Sequence, residues 1–201
     1  ATFSMLENNT IYKKAFFTRM NALANTYGIF TTYLLMKPNT VKYENNNHFY
    51  FNIDDVWGLE GMYKGVNIPG VLMCMQPNSR NEYTEVISLL VPMPFEQCAR
   101  WADTTVGRRG EDYKAFKEQF GNAVIDFVSQ FNPSLKGNIE MIHTASPLTY
   151  RDYTSTPEGS AYGLVKDCRN PLASLVFART KISNLLITGQ SLNIHGCLGA
   201  T

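Results

Sequence analysis

The sequence has little net charge, no long apolar run and few cysteines, and each shortage removes a class of protein. Eighteen Lys and Arg stand against 17 Asp and Glu, a net charge of +1. No overall field then attracts a phosphate backbone, and nucleic acid is not an expected partner. Apolar stretches such as Ile29-Phe30 and Leu34-Leu35-Met36, and the longer Val71-Leu72-Met73-Cys74-Met75, fall far short of the roughly 20 residues that cross a bilayer, and no charged-then-apolar leader opens the chain. An integral membrane protein is not expected; the expected location is cytoplasmic, with peripheral membrane contact left open. Cys74, Cys98, Cys168 and Cys197 include no C-x-x-C pair and are too sparse for a disulfide scaffold, so free, mostly buried thiols in a reducing compartment are expected. His48, His143 and His195 make no close pair, and only His195 lies near a cysteine, which disfavours zinc; no metal is expected. Hydrolase and metalloprotease signatures, G-x-S-x-G and H-E-x-x-H, are missing. So is a G-x-G-x-x-G after a strand: Gly58-Leu59-Glu60-Gly61 and Gly107-Arg108-Arg109-Gly110 have the wrong spacing for a dinucleotide phosphate loop.

What is present suits a folded core. The 201 residues, 22.7 kDa, are 44% hydrophobic and 12% aromatic, enough for one large domain or two small ones. Met5, Tyr12, Phe16, Met20 and Leu23 recur at helical intervals and predict a helix over 4–26 with one buried face. Residues 27–37, 48–53, 71–75, 84–91 and 138–145 have the β-branched, aromatic or alternating character of strands, the third and fourth joined as a hairpin through a turn-rich segment. A short helix is expected near 95–101. A long one is expected over 111–131, where Phe116, Phe120, Val124, Phe127, Val128 and Phe131 form one stripe, facing either the core or an apolar ligand cavity. Residues 146–181 read as loop-rich, and Leu185–Thr188 as a short buried strand. Arg108-Arg109 reads as a solvated loop, Asp54-Asp55 as a cap or turn, and His143 as a structural histidine.

The last segment, Asn184-Leu185-Leu186-Ile187-Thr188-Gly189-Gln190-Ser191-Leu192-Asn193-Ile194-His195-Gly196-Cys197-Leu198-Gly199-Ala200, is an apolar strand, a glycine turn and a small-residue approach to a helix, an order that places ligands at strand ends and helix amino termini. Its wording resembles the last cofactor-contacting segment of the FAD-dependent phytoene desaturase, carotenoid isomerase and retinol saturase family. Thr144-Ala145-Ser146-Pro147-Leu148-Thr149-Tyr150, followed by Pro157-Glu158-Gly159-Ser160-Ala161-Tyr162-Gly163, is similar to that family's return from substrate domain to cofactor domain.

The resemblance implies a flavin-dependent oxidoreductase acting on carbon–carbon bonds of an isoprenoid or polyene, an apolar small molecule. FAD would lie by Gly189, Gln190, Gly196, Cys197, Leu198 and Gly199, with Tyr162 and Gly163 near the substrate. His195, beside Gly196, is the one candidate for proton transfer. Gln190 stands where desaturases carry an acid and resembles the saturase-like branch. The expected fold is α+β: a mixed, mostly antiparallel sheet with helices on one face over 1–145, and a return segment over 146–201 whose terminal strand-turn-helix belongs to an FAD/NAD(P)-binding domain. Without a phosphate loop, and with both ends reading as cut, the chain is expected to be an inactive fragment that partners the missing FAD domain of its own protein. Two other readings stay open: a non-catalytic apolar-ligand or protein-interaction module, and a flavin amine oxidase-like enzyme.

Overall fold

The β-branched and aromatic residues from Gly28 to Met36 form β1, an interior strand paired on both of its edges. The computed structural model describes residues 11–53, 68–80, 82–192 and 194–196. Within it, β2 (His48–Phe51), β3 (Gly70–Pro77), β4 (Thr84–Met93) and β5 (Ile139–Ala145) join β1 in the order β2-β3-β4-β1-β5, every neighbouring pair antiparallel. The β3–β4 hairpin is held at its turn by Asn78, whose side-chain oxygen accepts from the N–H groups of Arg80 and Glu82, both at 3.2 Å.

Strand alternation places Phe30, Leu34 and Met36 of β1 on the same face as Ile87, Leu89, Val91 and Met93 of β4 and Val71 and Met73 of β3, all buried. Helix α2 (Glu111–Ser129) covers that face with Phe120, Val124, Ile125, Phe127 and Val128, and the Phe30 and Phe120 rings meet at 4.7 Å between centroids. The aromatic stripe therefore faces the core rather than a ligand cavity. Its last member, Phe131, lies beyond the helix and stays half-exposed, stacked on Tyr50 at 4.9 Å.

A satellite core joins Cys98, Trp101, Tyr113 and Leu148. Burial pushes the Cys98 thiol up to about 11, so it stays protonated and inert. Cys74 is half-buried and Cys168 exposed, fewer buried thiols than expected; Cys197 lies outside the described residues. Arg109, expected in a solvated loop, is buried: it donates to the carbonyls of Trp101 and Thr104, both at 3.0 Å, and ion-pairs with Asp152. A guanidinium can be buried here because its donors are shared between carbonyls and a carboxylate. His143, read as a structural histidine, lies exposed on the edge strand β5 with its ring 6.4 Å from that of Tyr33.

Other differences from the sequence reading have identifiable causes. Helix α1 covers only Lys14–Asn21 and has no buried residue. After it the chain becomes a ladder partner: Ala161 and Val165 donate to the carbonyls of Tyr27 and Ala24, and Thr26 donates to Gly163, pairing that outweighs helical periodicity. Residues 95–101 form two 3-10 turns, Phe95–Gln97 and Ala99–Trp101, separated by Cys98 in a non-helical conformation. The loop-rich region contains helix α3 (Pro147–Thr154): Ser146 accepts from Leu148 N–H, Thr149 reaches back to Ser146 N–H, and Pro147 occupies the first turn. Leu185–Thr188 is not a buried strand. It makes one isolated bridge, Leu186 to Arg179, and Leu186 is 72% exposed, because no described strand lies alongside it. Asp54-Asp55 lies outside the described residues.

Phe120→Ala is expected to lower stability by about 3–5 kcal/mol, the cost of a large-to-small change in a closed core, read as a lower urea midpoint. Ser146→Ala removes the α3 cap and the partner of the buried Tyr113 hydroxyl, 2.7 Å away; a loss of about 1–3 kcal/mol is expected in the same measurement.

Candidate functional site

The two segments singled out near the end of the sequence meet in space. Residues 160–165 are held as a short ribbon against 24–28, and Tyr162 N–H donates to Thr26 Oγ1 at 3.0 Å. Gly163 has φ +70°, and a Cβ there would run into Ser191 Oγ, so only glycine lets the two segments touch. His195 Nδ1 lies 2.6 Å from the Tyr162 carbonyl oxygen. A carbonyl only accepts, so Nδ1 carries the hydrogen and Nε2 is left as the basic atom. The Tyr162 ring stands edge-on to both Tyr27 and His195, at 6.0 and 6.1 Å.

Lys166, which the sequence reading passed over, fastens this meeting point. Its ammonium donates to the carbonyls of Ser174 at 3.2 Å, Ser191 at 3.1 Å and Leu192. Burial holds it below the usual lysine range, and the three carbonyl dipoles hold the cation in place. Gly189 (φ +126°) and Gly196 (φ +68°) border the same turn, with Leu192 N–H closing onto the Gly189 carbonyl at 3.1 Å. Among the described residues nothing lies within 4 Å of where a Cβ would stand at either glycine. Gln190 is half-buried between them. Cys197, Leu198 and Gly199 lie outside the described residues. The structure thus brings together Tyr162, Gly163, Gly189, Gln190, His195 and Gly196.

A second feature is the sheet face turned away from α2. Alternation puts Phe49 and Phe51 of β2, Leu72 of β3, Leu90 of β4, Tyr33 and Leu35 of β1 and Met141 of β5 on it. Phe49 is 61% and Met141 62% exposed, and the Phe49 and Phe51 rings lie parallel, 6.5 Å apart. The same register puts Cys74 and Gln76 of β3, Ser88 of β4 and His143 of β5 on this face as well, and a hydroxyl cluster joins it from α3. Tyr150 OH of α3 shares a hydrogen with Thr31 Oγ1 at 2.6 Å and lies 3.3 Å from Tyr33 OH. Burial, reinforced by Tyr33, pushes the Tyr150 phenol up to about 12, so at neutral pH it is an O–H group. Alternation alone pairs Thr31 with Tyr33 on one face; Tyr150 joins them only through the fold. Among the described residues no group of three or more His, Cys, Asp or Glu side chains is placed to hold a metal ion, and no helix is long and apolar enough to cross a membrane.

No protein-family model matches the chain. It is 35% identical over 116 residues to human all-trans-retinol 13,14-reductase, a match covering 56% of this chain and 19% of that protein. The Danio rerio protein of the same name is 34% identical over 109 residues, 53% of this chain and 18% of that one. A second Danio rerio protein, named inactive all-trans-retinol 13,14-reductase, is 27% identical over 119 residues, 56% of this chain and 18% of its own length. The matched stretch is less than a fifth of the length of these relatives. The resemblance carried by the closing segments and these matches agree: the chain is related to the all-trans-retinol 13,14-reductase, or retinol saturase, family.

Proposed function

We propose that this chain is the substrate-facing part of a flavin-dependent oxidoreductase that reduces a carbon–carbon double bond of a retinoid or related polyene. The observation that carries the reading is an open sheet face that combines exposed apolar side chains with a hydroxyl cluster, Thr31, Tyr33 and Tyr150, in a chain related to retinol reductases. A polyene alcohol is apolar along its length and polar at one end. The face offers Phe49, Phe51, Leu72, Leu90 and Met141 to the first part and a tyrosine O–H to the second. In this reading residues 1–145 are the substrate-binding domain and 146–201 the return to an FAD-binding domain of a longer protein.

The backbone at Gly189 and Gly196, with no described atom within 4 Å of a Cβ position, fits a flat ring system approached edge-on. Gly189, Gln190 and Gly196, with Cys197, Leu198 and Gly199, would hold FAD, which when bound supplies a hydride to carbon. The chain's own residues do the rest. Lys166 and Gly163 set the distance between the 162–163 segment and the 189–196 turn. The Tyr162 carbonyl fixes the His195 tautomer, leaving Nε2 to carry the proton for the second carbon of the double bond. Tyr150 OH orients the substrate's polar end. A second reading, an apolar-ligand module without catalysis, is favoured by the existence of a relative named inactive.

Expression of the complete reading frame that contains these residues, with its visible spectrum and retinol turnover recorded, decides between the two. Flavin absorbance with conversion to a dihydro product is expected; a colourless protein that stays inactive after reconstitution with FAD overturns the proposal. In the active enzyme, His195→Gln is expected to keep the flavin and lower kcat about a hundredfold. Tyr150→Phe is expected to raise KM about fivefold with kcat little changed, the worth of one hydrogen bond, read in steady-state kinetics.

A further inference from the structure

Two adjoining cavities of about 380 and 330 Å³ share Tyr113, Lys114, Lys117 and Thr144 and form one trough between α2 and the edge strand β5, reaching α3 at Thr149, Asp152 and Tyr153. The trough uses none of the residues assigned above to flavin or polyene. Its inner part is lined by three cations, Arg109, Lys114 and Lys117, against one carboxylate, Asp152. That carboxylate is already engaged twice, by Arg109 and by Arg151 Nε at 2.9 Å. Lys114 has Glu111 at 2.7 Å, an exposed pair that water screens. Among the described residues Lys117 has no ion-pair partner; its ammonium lies 5.6 Å from the centre of the Tyr113 ring. Glu118 is the one acid on the outer part. The inner cavity therefore carries an excess of two positive charges, three cations less one carboxylate, in a partly enclosed site.

We propose that this trough binds the phosphate group of a water-soluble phosphate monoester, with Lys117 as the principal charge partner. A dianion matches the excess charge where a carboxylate would leave half of it unmet. Thr149 Oγ1 accepts from Ser146 N–H and keeps its own hydrogen for donation to a phosphate oxygen. The combined space exceeds a bare phosphate and leaves room for a small organic group. Burial, and the nearby Arg109, hold the Lys117 ammonium below the usual lysine range; a bound dianion reverses that pressure.

The test titrates the full chain with inorganic phosphate and with glycerol 3-phosphate at constant ionic strength, following reductive methylation of Lys117 by mass spectrometry and the thermal midpoint. Saturable protection of Lys117 and a rising midpoint are expected. Lys117→Met is expected to weaken binding about tenfold, the loss of one charge-assisted contact, with an unchanged circular dichroism spectrum. Should that variant fail to fold, protection of the unmodified protein decides alone. Equal protection by sodium chloride at matched ionic strength, or equal affinity of the variant, overturns the proposal. Vesicles of phosphatidylcholine with and without phosphatidic acid separate the sources of phosphate. No co-sedimentation is expected; co-sedimentation that requires phosphatidic acid, without protection by the soluble esters, overturns the soluble ligand in favour of a lipid headgroup.

Discussion

The pairing of β1 on both of its edges is the constraint on which the rest of the molecule depends. One edge runs against β4 from Gly28 to Leu35, and the other against β5 from Thr31 to Met36. The line continues below the sheet, where 24–28 meets 160–165. Buried backbone groups must find partners, so these ladders are mutually required. A slip of one residue would turn Phe30, Leu34 and Met36 out of the core and move Tyr33 away from Tyr150. The core, the hydroxyl cluster and the approach of Tyr162 to His195 therefore share one register.

Order weakens with distance from that strand. Between Lys166 and His195 the segment forms, among its described residues, no helix and no ladder beyond one bridge. It is held largely by side chains reaching backbone: Lys166 on three carbonyls, Lys181 N–H donating to Tyr12 OH at 3.0 Å, and Arg19 on the carbonyls of Ala173 and Leu175 at 3.4 Å. Segments of this kind open more easily than a core strand, and functional residues are commonly placed on them. Lys166, which reaches three carbonyls, joins more of this segment than either Lys181 or Arg19 does.

The strands and α2 were legible because each depends on its own residues. The alternation in 84–91 and the apolar stripe of 111–131 are local patterns that burial on one face enforces. The failures share a different cause. Residues 24–26 left their helical pattern because Leu164 and its neighbours offered ladder bonds. The apolar Leu185–Thr188 run found no strand to join. Helix α3 was signalled only by Ser146 and Pro147, a cap without the usual glutamate, and was hidden in a polar stretch. Arg109 looked like half of a surface pair until Asp152, Trp101 and Thr104 closed round it.

By itself, then, the order of residues determined the α+β class, the strand and helix that build the core, the lack of a phosphate loop, and the closing motif through which the chain resembles the retinol saturases. Those depend on periodicity, composition and short-range spacing, which the linear chain carries. Only the tertiary structure decided that the aromatic stripe of α2 is core while the opposite sheet face stays open, that Tyr150 joins Thr31 and Tyr33, and that Lys166 and Gly163 bring Tyr162 to His195. Each of these is a contact between residues far apart in the chain, set by strand register and close packing, and no local pattern of side chains encodes such distances.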